Sequence, residues 1–208
     1  MAYLAASLTA GNSSAVKLIN PSEIISKMAR ALVLGVGNIL MQDEGVGVHT
    51  LEWLQTHYTF SGLSGEAGQA NSVSDHKDEE SPAEIVLLDG GTMGLDLLHH
   101  LAGVDHLLIL DAVEAGKSPG AIIELFDDAV PAFISMKLSP HQVGVQDLLA
   151  TAQLLGYAPP EIVILGVQPA QLSVGLDMSP VVAAQVEPLA RLALTQLQRW
   201  GYRVEKVS

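Results

Sequence analysis

Four residues of this chain stand where an α/β sheet can deliver chemistry. Glu44 follows the glycine turn of "LVLGVGNILMQDEGVGV" (32–48), Asp89 ends the run "EIVLLD" (84–89), Asp111 lies near the end of "HLLILDA" (106–112), and His141 stands in "SPHQ" (139–142). In open α/β sheets, ligands collect beyond the carboxyl ends of the strands, so acids at those ends can share a crevice. Two carboxylates and an imidazole suit a borderline or hard divalent cation, and a chain without cysteine offers no thiolate instead. Spacing alone leaves convergence open, because a strand-end acid also makes caps and turns, and Asp43 with Glu44 would complement the positive end of a helix dipole.

The glycine turn excludes one common reading. A dinucleotide fingerprint needs a third glycine where Leu40 stands, and a phosphate loop needs Gly-Lys-Ser/Thr, which does not follow. Asp43 and Glu44 would repel a phosphate at the helix start. There is no His-Glu-x-x-His helix, no Gly-x-Ser-x-Gly elbow and no pepsin-like Asp-Thr/Ser-Gly loop. The remaining histidines read as packed or solvated: His49 and His57 in a first helix, His76 in a polar loop, His99 and His100 in a second helix, and His106 at the head of a strand.

Composition narrows the partners. The net charge of −13 repels nucleic acid and anionic membrane surfaces. No apolar run reaches the roughly 18 residues a membrane span needs. The missing cysteines fit a cytoplasmic setting. No basic residue precedes the short apolar patch at the N-terminus, so a secretory signal is not expected. Residues 1–28 read as a disordered extension, with Met28 a candidate native start directly ahead of the first strand.

The elements that must position these residues follow from periodicity. The apolar run 31–36 is a buried strand, and Gly45 to His57 carries Val48, Leu51 and Leu54 at helical spacing. Residues 59–83 are rich in Gly, Ser and charge and predict a flexible loop. Strand 84–89 turns through Gly90-Gly91 into a helix capped by Thr92 and running to about Ala102. Strand 106–112 follows, then an edge strand at 121–126, then a stretch bracketed by Pro131 and Pro140. His141 opens a helix with apolar positions Val145, Leu148, Leu149 and Leu155, and strand 161–167 precedes a last helix from about Pro180 to Trp200. The alternation predicts a single α/β domain over 29–208, with a mostly parallel twisted sheet of about five strands and helices on both faces.

The segments "LVLGVGNILMQDEGVGV" (32–48), "LLDGGTMGL" (87–95), "LILDAV" (108–113), "KSPG" (117–120), "SPHQVG" (139–144) and "ILGVQP" (164–169), in this order, resemble the hydrogenase maturation endopeptidases. The resemblance covers roughly 30–200. It implies a protease, usually grouped with the aspartic type, that cuts a C-terminal extension from the nickel-iron hydrogenase large-subunit precursor after nickel insertion. By residue-for-residue match it implies Glu44, Asp111 and His141 as metal ligands, with Glu44 and Asp111 also catalytic. Asp89 matches a further acid that supports the site, beside Asp43, Gly35, Gly37 and Asn38. The nickel would come with the precursor, and other divalent metals could occupy the same ligands. The implied partner is that precursor, met by a monomer. A metal-binding chaperone or sensor that does not hydrolyse remains the rival reading, and Glu44→Gln or His141→Ala is expected to abolish processing.

Overall fold

A glycine decides how the first helix meets the sheet. At Gly47 a Cβ would stand 2.1 Å from the Leu110 carbonyl oxygen and 2.3 Å from that of Val36, so helix backbone lies directly on strand backbone. The computed structural model describes residues 29–60, 84–126, 129–130, 132 and 143–207. Residues 1–28, the segment 61–83, Pro131, Pro140 and His141 lie outside the described residues.

Strands β1 (Arg30–Val36), β3 (Glu84–Gly91), β4 (His106–Ala112) and β6 (Glu161–Val167) run parallel, and β5 (Ile122–Phe126) closes one edge antiparallel to β6. Their order in the sheet is β3-β1-β4-β6-β5. The chain therefore leaves β1 for one neighbour and returns past it to the other, so adjacent crossovers separate at the carboxyl end of β1. That separation opens a crevice where ligands of such sheets bind.

Both faces of the sheet are covered, which is why the strands read as continuous apolar runs. On one face Ala31, Val33, Leu108 and Leu110 pack with Leu51 and Leu54 of α1 (Val46–His57) and Leu189, Ala193 and Leu197 of α4 (Val186–Arg199). On the other, Leu32, Leu34, Leu107 and Ile109 pack with Leu97 and Leu101 of a 3₁₀ helix (Gly94–Leu101) and Leu148, Leu149 and Ala152 of α2 (Val143–Leu155). Truncating any of these fully buried leucines to alanine would cost about 2–5 kcal/mol.

Several expectations are corrected. Thr92 caps nothing: β3 continues to Gly91, and the following helix is 3₁₀, starts after Met93 and has no side-chain cap. Leu155 is exposed, and Ala152 completes the apolar stripe of α2 instead. The last helix is two, α3 (Pro180–Ala183) and α4, broken at Ala184-Gln185. Thr59 and Phe60, expected in the loop, belong to β2 (Tyr58–Phe60), which pairs antiparallel with β7 (Val204–Lys206). Phe60 is buried in the core, and that burial draws the segment into a ladder. Among the described residues no helix is long and apolar enough to cross a membrane.

Candidate active site

The site begins where β1 ends. Gly35 pairs with Asp89 on one side and Leu110 on the other, so the ends of β1, β3 and β4 come level. At Gly37 the backbone takes φ +129°, and a Cβ there would stand 1.8 Å from the Glu44 carbonyl oxygen. Only glycine lets the chain fold back this closely. The turn is closed by the Gly37 N–H donating to the Gly91 carbonyl (3.0 Å) and by the Asn38 side-chain oxygen accepting from the Leu40 N–H (3.0 Å).

A 3₁₀ turn, Gln42–Gly45, then sends two consecutive acids to different places. Asp43 is fully buried, and its carboxylate accepts from the N–H groups of Ala170 (2.8 Å), Gln171 (3.0 Å) and Ser179 (2.6 Å) and from the Ser179 hydroxyl (2.9 Å). It clasps the segment after β6 to the turn after β1. Glu44 points instead into a cavity of about 370 Å³.

Asp111 reaches the same cavity from β4. It is only 5% exposed, and its Oδ1 accepts from the Ala112 N–H at 2.8 Å. Burial pushes its carboxyl up to about 8; the Ala112 N–H opposes this, and the charge of Glu44 adds to it. Near neutrality Asp111 therefore holds its proton beside an acidic neighbour. A divalent cation arriving between the two would reverse that balance and favour both charges.

Asn38 and Thr92 complete the polar part of the cavity, while Val36, Met41, Leu97, Val145 and Leu148 make an apolar wall. Asp89 does not line it: it is exposed, and its Oδ1 accepts from the Gly91 N–H at 2.9 Å. It shapes the corner whose Gly91 forms cavity wall. Among the described residues no three His, Asp or Glu side chains are grouped to hold a metal; His141, the third expected ligand, lies outside them.

His49, His57 and His106 are engaged away from the cavity. His57 is stacked on Trp53 with ring centroids 4.1 Å apart, and His49 lies 3.2 Å from Glu52. His106 contacts the Tyr202 hydroxyl at 2.7 Å, and burial lowers its pKa against the opposing pull of Glu161 and Asp105.

Sequence reasoning passed over Gln168, whose buried side-chain oxygen accepts from Ala115 and Lys117 N–H groups (2.9 and 3.1 Å) and orders the loop after β4. The available signal was a polar residue at the end of β6, ahead of Pro169. It also passed over Gly47, whose signal was a glycine inside a helical run.

The sequence model of the hydrogenase maturation proteases matches residues 72–196. The hydrogenase expression/formation protein HupD of Rhodobacter capsulatus is 40% identical over 183 residues, spanning 86% of this chain and 77% of that protein. The chain belongs to the hydrogenase maturation protease family. Within that family, the hydrogenase 2 maturation protease of Escherichia coli is 36% identical over 173 residues, spanning 83% of this chain and 93% of that one. The structure of the hydrogenase maturating endopeptidase HybD from E. coli superposes with a TM-score of 0.71 at 35% identity, over 85% of this chain and 97% of that one. The α/β fold described above is thus the fold of this maturation protease.

Proposed function

We propose that this chain is an endopeptidase that removes the C-terminal extension of a nickel-iron hydrogenase large-subunit precursor once nickel is in place. Glu44, Asp111 and His141 grasp that nickel as part of the substrate. The observation that carries the reading is the pair of carboxyl groups, the partly exposed Glu44 and the buried Asp111, on the wall of one cavity, with Asp111 pushed up to about 8. Such a pair is poor at meeting a metal-free surface, because enclosing it buries uncompensated acid. It is well suited to a dication, which draws the proton from Asp111 and neutralises both carboxylates. A metal check of this kind makes cleavage wait for insertion.

In the cleavage step a carboxylate of the pair accepts a proton from water as the water oxygen bonds to the scissile carbonyl carbon. The proton passes to the departing amine nitrogen as the C–N bond breaks. General-base assistance of this kind contributes typically 10²–10⁴-fold. Other divalent cations of similar preference would compete for the same ligands. The enzyme acts as a monomer, leaving the cleft open to a large folded precursor.

The test is incubation with nickel-loaded and nickel-free precursor, reading precursor mass before and after. Loss of a C-terminal peptide only from the loaded form is expected. Binding without any change of mass would replace the protease reading by that of a metal-binding chaperone.

A further inference from the structure

Six large apolar side chains stand exposed on segments that adjoin the cavity wall: Ile39 (43%), Leu40 (56%), Met93 (46%), Leu95 (51%), Val174 (87%) and Leu176 (69%). They form two banks. Val174 and Leu176 flank Gly175, whose N–H donates to the Leu40 carbonyl (2.9 Å) and whose carbonyl accepts from Gln42 (3.0 Å), beside the bridge between Met41 and Gly175. This sets Val174 and Leu176 next to Ile39 and Leu40. Met93 and Leu95 flank Gly94, a residue of the cavity wall, and the Gly37 to Gly91 hydrogen bond ties the two banks together.

The loop that carries the first bank is pinned. Asp43 holds it at Ala170, Gln171 and Ser179, and the Ser173 hydroxyl donates to the Gln42 side-chain oxygen at 2.6 Å. Its apolar side chains are displayed to solvent. Charge tells the same story: residues 35–42, 90–95 and 168–176 contain no charged side chain in a chain of net −13. Single exposed apolar residues need no explanation, but a group of them beside one cavity marks a binding surface. Interfaces have this anatomy, with charged residues depleted at the centre.

We infer that these two banks are the docking surface for the folded precursor, seated so that its metal-bearing segment drops between them onto Glu44 and Asp111. The inference rests on the proposed function and names the surface that function would use. Because the banks come from separate loops, one after β1 joined by the 168–176 segment and one after β3, touching both takes a protein surface rather than a single extended peptide. A membrane is disfavoured by the net charge. Once seated, the apolar banks exclude water from the cleft, as the surround of an interfacial hot spot does.

The test uses the double variant Val174→Asp, Leu176→Asp and, separately, Leu40→Gln, both at exposed positions, with melting temperature as the control for folding. Affinity for nickel-loaded precursor is measured directly, alongside KM and kcat. Affinity should weaken at least about tenfold, with KM rising in step and kcat retained. Parent-like affinity in both variants overturns the docking surface even where the parent cleaves normally. A dimeric parent made monomeric by the double variant also overturns it, assigning the banks to a second copy of the chain. A parent that binds precursor without cutting it sinks the protease reading alone, since the affinity comparison still decides the docking surface. A parent that neither binds nor cuts sinks both.

Discussion

Glu44 comes from the turn after β1 and Asp111 from β4, yet they share the wall of one cavity, and the charge of Glu44 adds to burial in raising the Asp111 carboxyl to about 8. The two acids work against each other in the free protein and with each other around a cation. Much of what can be measured follows from that opposition.

Asp111 should make the protein less stable as pH rises. Its folded pKa, about 8, lies above the ordinary carboxylate value, so between roughly pH 4 and pH 8 the folded state keeps a proton the unfolded state has released. Stability therefore falls with increasing pH across that window. Asp111→Asn removes the slope: its melting temperature should exceed the parent's at pH 8 by more than at pH 5, while precursor processing is lost. Equal pH profiles for parent and variant would show the carboxyl ionises normally.

Glu44→Gln keeps shape and removes charge. Processing of nickel-loaded precursor should fall at least about a hundredfold, with the fold retained. His141→Ala should do the same by removing a ligand. Mass spectrometry of the precursor over time reads both, and parent-like cleavage by either variant would remove that residue from the site.

Asp43→Ala should act on the scaffold. It strands the N–H groups of Ala170, Gln171 and Ser179, of which the buried Ser179 donor costs about 1–3 kcal/mol and the two on exposed residues less. A loss of about 3 kcal/mol in urea denaturation is expected, together with weaker precursor binding because the Val174 and Leu176 bank loosens. No change in either would mean the clasp is dispensable.

Gly47→Ala should force α1 away from the sheet, since its Cβ would overlap the Leu110 and Val36 carbonyl oxygens. Overpacking of this kind costs about 1–3 kcal/mol. Because α1 begins two residues after Glu44, activity should fall too. The neighbouring change Val48→Ala, by contrast, is a simple truncation of a buried side chain. It should lose stability without disturbing the helix seat, and comparing the two variants separates displacement from lost burial.

What the sequence determined was whatever depends on local pattern. Apolar runs with flanking glycines marked β1, β3, β4 and β6, and helical spacing at Val48, Leu51 and Leu54 marked α1, because burial on a strand or a helix imposes its own period. The acids at strand ends were legible for the same reason. Tertiary structure alone decided where those acids point. Asp43 and Glu44 are neighbours in a 3₁₀ turn, where successive side chains diverge by about 120°, and Asp43 turned inward because Ser179, 136 residues away, offers two donors. Asp89 turned outward because the shift in register after Gly35 brought the Gly91 N–H within its reach. Asp111 acquired its raised pKa from burial at the end of β4 and from Glu44 across the cavity. Side-chain direction and protonation depend on partners distant in sequence, and those partners become neighbours only when the chain has folded.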